Sequence, residues 1–168
     1  MANDDNKTVN YDISSQEVVT TAIMEMLNDY PGLNGAEVAF STLGESNGIA
    51  MYPISSAVIQ SETINIIGGV TQICLYPFHV VYRASGLSES RKASVKEWLD
   101  NLGRWLEKEE ITINGINYKL SQYPELTGDR KIEKISRQTP GYLDTINENQ
   151  SENWVIYITL QYINKYEQ

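Results

Sequence analysis

The chain has 168 residues, 41% of them hydrophobic, and a net charge of −9 at neutral pH, with a sequence pI of about 4.6. That length supports one domain with a real core, and the acidity argues against non-specific nucleic-acid binding, though not against a surface that DNA slides past. The single cysteine, Cys74, excludes an intrachain disulfide; the polar start reads as no signal peptide, and no apolar run approaches membrane-spanning length.

Residues 1–13 read as a mobile polar arm and residues 14–168 as one domain. Ser14 and Glu17 have capping-box spacing. Val19, Ala22, Ile23, Met26 and Leu27 then recur at helical spacing, with Tyr30 extending the stripe until Pro31 and Gly32 stop it. This predicts a helix over about residues 15–28. Residues 36–43 can form a strand, with Val38, Phe40 and Thr42 on one face. The turn chemistry of Gly44 to Gly48 then joins it to a second strand over residues 49–54, a hairpin pattern. In residues 55–70 the apolar Val58, Ile59, Ile64, Ile66 and Ile67 are interrupted by Ser, Asn and a Gly pair. That segment reads as a loop or a second, irregular hairpin.

Residues 73–85 form the most legible strand. Side chains alternate faces along a strand. The even set, Cys74, Tyr76, Phe78, Val80, Tyr82 and Ala84, carries no charge and should lie on the core; the odd set is mixed. Pro77 has no amide hydrogen to give, which predicts a bulge or a sheet edge. Gly86 ends the strand. Ser88 is a good N-cap, with Glu89 in the first turn where the helix dipole favours it. Val95, Trp98, Leu99, Leu102, Trp105 and Leu106 then form an apolar stripe roughly 120° wide. That helix should pack on the even face of the strand.

Beyond the helix, Asn114-Gly115 is the strongest short hairpin signal. Residues 124–129 read as loop, residues 130–138 as a strand, and residues 139–153 as polar turn and loop. Residues 153–165 are a confident strand, with Trp154, Ile156, Ile158, Leu160 and Tyr162 on the core. The order predicts an α+β fold: a mostly antiparallel sheet with two helices packed on one face.

The chemistry-bearing residues do not assemble into a known catalytic pattern. His79 and Cys74 are an odd number apart on one strand, so they point to opposite faces and cannot share a metal. Gly44-Glu45-Ser46-Asn47-Gly48 matches a nucleophile-elbow pattern, but a strand follows it where the elbow requires a helix. No phosphate loop occurs, and Gly68-Gly69 lacks dinucleotide-fingerprint spacing. No catalytic, cofactor-binding or metal site is therefore assigned. Glu107, Glu109 and Glu110 crowd a helix C-terminus, where the dipole disfavours them. Arg130, Lys131, Lys134 and Arg137 make the only basic cluster, either a solvated strand face or a contact for an acidic neighbour. Tyr76, Tyr82, Tyr157, Tyr162 and Tyr166 suit either ordinary strands or interfaces.

Three segments carry a resemblance: Met51-Tyr52-Pro53-Ile54 before a variable loop, Tyr76-Pro77-Phe78-His79-Val80-Val81-Tyr82 before the Trp98-Leu99 helix, and Trp154 to Tyr162 near the end. Together with the short N-terminal helix, the chain resembles the tail-terminator proteins of long-tailed bacteriophages, often labelled minor capsid proteins. The resemblance runs from about Ser15 to Tyr166; the polar arm and residues 130–153 match nothing in it. It implies a non-enzymatic virion protein without cofactors. Such proteins form a homohexameric ring on the head-proximal end of the tail tube, stop tube growth, contact the tail tube protein and join the head-tail connector. DNA passes through the lumen without specific binding, and no membrane is involved. The candidate ring-interface residues are Ile64, Ile66, Ile67, Pro77, Arg130, Lys131, Lys134 and Arg137. The alternatives are a head-tail connector or stopper, and, in a different class, a small cytoplasmic α+β ligand-binding domain or enzyme.

Overall fold

The computed structural model describes residues 8–168. A 3-10 turn at Ile13–Ser15 leads into helix α1 (Gln16–Asn28). Strands β1 (Val38–Phe40), β2 (Gly48–Pro53), β3 (Val58–Ile64) and β4 (Gly69–Ala84) precede helix α2 (Glu89–Leu106). Strands β5 (Ile111–Ile113), β6 (Ile116–Tyr118), β7 (Arg130–Arg137), β8 (Tyr142–Ile146) and β9 (Glu152–Glu167) complete the chain. Seven strands form one mostly antiparallel sheet, and β5 and β6 form a separate hairpin. Both helices pack on one face of the sheet, so the fold is α+β.

The sheet is built on β4 and β9. Each has 16 residues, and they pair along their full length, from Gly69 opposite Glu167 to Ala84 opposite Glu152. Strands of that length reach about 50 Å, more than one short neighbour can cover. β3 therefore borders the first part of β4 and β2 the last part. Likewise β8 borders the start of β9 and β7 its later part. Across one end the lateral order is β3-β4-β9-β7; across the other it is β1-β2-β4-β9-β8.

Parity decides what is buried. Cys74, Tyr76, Phe78 and Val80 on β4 and Ile156, Ile158, Leu160 and Tyr162 on β9 are fully buried beneath the helices. Each large side chain so buried contributes about 1.5–3 kcal/mol. From the helices come Val19, Ile23, Leu27, Leu99, Leu102 and Leu106. Ser88 caps α2 as its sequence position implies, its Oγ accepting from the Arg91 amide at 3.4 Å. Trp98 is only half-buried at the edge of the stripe. Its Nε1 donates to the Gly32 carbonyl at 2.7 Å, and its ring meets Tyr30 and Tyr82 edge-on. The link between β7 and β8 touches the backbone of α2: a Cβ on Gly141 would lie 2.8 Å from Leu99 Cβ and 3.1 Å from the Lys96 carbonyl.

Several expectations are corrected. Pro77 lies neither at an edge nor at a bulge but in a central strand, opposite Thr159 of β9. Its carbonyl accepts from the Ile54 amide at 3.0 Å, so its absent N–H points the same way, into the break between β2 and β3. The ladder to β9 loses nothing. β1 and β2 are parallel, not a hairpin: Val38 faces Ile49 and Phe40 faces Met51. The seven-residue return at 41–47 begins at Ser41, whose φ is 52°, and carries the chain back to the start of β1. The Ser14 capping box does not form, because Ser14 Oγ donates to Asp12 and accepts from Arg130. The segment read as polar loop after residue 138 contains β8, paired with β9. The expected polar arm does not reach residue 13. Tyr11 bridges to Val58 and Asp12 is buried, while residues 1–7 lie outside the described residues. The segment at 55–70 resolves into the irregular hairpin, with a bulge between Ile59 and Ser61. Asn114 and Gly115, at φ 51° and 77°, make the expected tight turn between β5 and β6.

Candidate functional site

The β3–β4 turn is built to hold its tip in the open. Asn65 organises it: its backbone N–H donates to the Gly69 carbonyl at 2.9 Å and its carbonyl accepts from Gly68 N–H at 3.1 Å. Its side-chain Oδ1 accepts from the amides of Ile67 at 3.0 Å and Gly69 at 2.8 Å. Gly68 supplies the left-handed backbone, φ 90°, that closes the turn. The end of β9 braces it, since the Gln168 amide donates to the Gly68 carbonyl. On this frame Ile64, Ile66 and Ile67 are 56%, 104% and 83% exposed. The described residues leave them uncovered, and the hydrogen bonds of the turn hold them outward.

The basic cluster is divided by the sheet. Arg130 pairs with Asn164 and Arg137 with Ile158, positions on the helix side; Lys131 pairs with Ile163 and Lys134 with Gln161, on the opposite side. A bulge between Ile132 and Lys134 makes this possible and keeps Ile132 and Ile135 on the core. Arg130 is committed internally. Its Nε and Nη2 donate to the buried Asp12 carboxylate at 3.2 Å each. The Tyr162 hydroxyl donates to the same carboxylate at 2.7 Å and bonds Ser15 Oγ at 2.6 Å. Burial by itself would raise the Asp12 pKa, but the Arg130, Tyr162 and Ser15 hydrogen bonds outweigh it and hold the carboxyl below its ordinary value. Burial also pushes the Cys74 thiol beneath this cluster up to about 11.

Arg137 is committed too. Its Nε donates to Glu107 Oε1 at 2.7 Å and its backbone amide to the same oxygen at 2.8 Å, with Glu109 at 3.8 Å. This accounts for Glu107 and Glu109 at the C-terminus of α2: they anchor β7, a charge-assisted contact set against the dipole's mild penalty. Among the described residues, Lys131 and Lys134 alone of the cluster make no ion pair. Pro77 presents no open edge.

The bare face of the sheet carries an aromatic row. Tyr52 of β2 stacks on His79 of β4 at 5.5 Å between ring centroids, His79 meets Tyr157 of β9 at 5.0 Å, and Tyr142 of β8 lies 6.5 Å from Tyr157. Such cross-strand pairs stabilise a sheet face. Burial lowers the His79 pKa, the nearby Asp144 opposing weakly, and its Nδ1 is without a hydrogen-bond partner. Ser46 is exposed in the loop before β2, with no helix after it. Among the described residues no cluster of three His, Cys, Asp or Glu side chains could hold a metal ion, and no helix is long and apolar enough to cross a membrane.

One cleft of about 630 Å³ opens beside β7 and the loop at residues 122–128. Tyr123, Pro124, Leu126 and Ile132 line it, with Lys108, Lys131 and Glu125 around them. Lys108 Nζ sits 4.3 Å above the Tyr123 ring, and the Tyr123 hydroxyl donates to the Leu106 carbonyl at 2.7 Å. Compared with known proteins, the sequence matches no protein-family model and no curated protein at a significant level.

Proposed function

We propose that this chain is a structural virion protein, a tail terminator that forms a ring on the head-proximal end of a bacteriophage tail tube. The observation that carries the reading is the braced β3–β4 tip, where three isoleucines stand in solvent on a turn that cannot retract them. A contiguous apolar surface of this kind marks an interaction site. The aromatic strand segments by which the chain resembles tail terminators support the choice of assembly. The net charge of −9 suits a lumen through which DNA passes without sticking, since like charge repels phosphate. Ring closure requires heterologous contacts, one surface of a subunit meeting a different surface of the next, and the two sides of this sheet differ as such contacts demand.

The test is to polymerise tail tube protein with and without the purified chain and to measure tube lengths by negative-stain microscopy. Tubes should stop growing and carry a cap at one end. Uncapped tubes that elongate normally at saturating protein would overturn the proposal.

A further inference from the structure

The β3–β4 tip and the cleft beside β7 lie at the same end of the sheet but on its opposite sides. Val70, opposite Ile64, is two residues from Gln72; Gln72 faces Asn164, and Asn164 faces Arg130 at the start of β7. Across that end the order is β3-β4-β9-β7, so an apolar projection stands on one side and, at the other, a recess with polar walls and a buried apolar floor of Leu126 and Ile132. The recess is large enough for two aliphatic side chains, since clefts of about 300–1,000 Å³ hold drug-sized ligands. Their charges also match. The strands behind the tip carry Glu62 and Glu167 against Lys165, while the recess carries Lys108 and Lys131 against Glu125, a locally basic rim on a chain of net charge −9. Arg130 also lines the recess but is neutralised by Asp12.

We propose that the Ile64, Ile66 and Ile67 tip of one copy seats in the Tyr123, Leu126 and Ile132 recess of a second copy. Lys108 and Lys131 face Glu62 and Glu167 across the contact. Because tip and recess are different surfaces, each copy keeps one of each free for the next, and the contact propagates head to tail. The acidic flank of the tip and the acidity of the whole chain disfavour an anionic lipid surface as the occupant. The inference deepens the ring reading by naming the contact between neighbouring subunits, but its test uses the purified chain alone, without tails.

Two variants that each gain one exposed cysteine, Ile66→Cys on the tip and Gln122→Cys on the lining of the recess, are mixed at up to about 1 mM, a range that detects even weak association, and oxidised. The native Cys74 is buried and does not compete. The expected product is the mixed disulfide dimer, joining the tip of one variant to the recess of the other, in excess over either symmetric dimer. In sedimentation, Ile66→Asp and Lys131→Glu should each lower association by about tenfold or more, as loss of an interface anchor does, with unchanged circular dichroism. A chain that stays monomeric throughout, an association indifferent to Ile66→Asp, or a predominant symmetric dimer of the Ile66→Cys variant would overturn the contact while leaving tube capping untouched. So would cosedimentation of the monomer with anionic phospholipid vesicles that Ile66→Asp abolishes, which would assign the tip to a membrane surface.

Discussion

Replacing Arg130 by Glu separates a residue that holds the fold from neighbours that only decorate the surface. The Arg130 side chain is 17% exposed and that of Asp12 7%, and the carboxylate accepts from Arg130 twice and from Tyr162 once. Removing one partner of a buried ion pair costs about 3–5 kcal/mol. The partial exposure of Arg130 lowers that figure, and setting a second carboxylate against Asp12 raises it again, so about 3–5 kcal/mol is the expected loss for Arg130→Glu. Lys131→Glu and Lys134→Glu, on the same strand but on the solvent side, should each stay within about 0.5 kcal/mol. Urea unfolding followed by circular dichroism measures all three, with the slopes compared to confirm a common unfolded state. The Arg130→Glu deficit should also shrink in acid, where protonation relieves the carboxylate repulsion. A loss below about 0.5 kcal/mol for Arg130→Glu would show that the Asp12–Arg130–Tyr162 cluster does not hold the N-terminal segment on the sheet, and the division of the basic strand by face would be wrong.

Three further outcomes are expected. Leu102, fully buried on the sheet-facing side of α2, should cost about 2–5 kcal/mol when truncated to Ala, and a change under about 0.5 kcal/mol in urea unfolding would mean that the helix does not seal the sheet. Glu107→Gln removes the charge that anchors the half-buried Arg137; about 1–2 kcal/mol should be lost, and an unaltered midpoint would return this pair to the solvated surface. His79 is the chain's one histidine and burial lowers its pKa, so its folded form resists protonation. Its contribution to stability is present above the unfolded value of about 6.5 and is lost as pH falls through the folded value. The urea midpoint should decline as pH falls below about 6.5, and His79→Phe should flatten that decline; a parallel decline in the variant would place the titration elsewhere.

The elements legible in sequence are those with strong periodicity. β4, α2 and β9 declared their core faces by parity or by helical spacing, because each packs one whole side against the interior. β8 escaped notice because it is an edge strand with four exposed residues after the half-buried Tyr142; it has no apolar alternation to read. The parallel pairing of β1 with β2 was hidden as well, since two short apolar runs joined by turn residues look the same in either direction. Pro77 misled because the rule concerns where an amide would point, and that depends on a break in the neighbouring chain. The basic cluster misled for a related reason. Sequence displays the charges, but the partners of Arg130 and Arg137 lie 118 and 30 residues away, and a one-residue bulge decides which face each charge takes. The isoleucine run was legible as an apolar segment that needs a cover, but the sequence left open whether its own domain or a neighbour supplies it. Asn65, which fixes that tip, carried only the ordinary signal of an Asn three residues before a Gly pair.

The most direct measurement of the central claim is a cryo-electron microscopy reconstruction of the head-proximal end of tails assembled with this protein. A closed ring of about six copies on the last tube layer, each placing its β3–β4 tip against the β7 side of its neighbour, is the predicted result. A bare tube end, or this chain elsewhere on the particle as an isolated monomer, would contradict it.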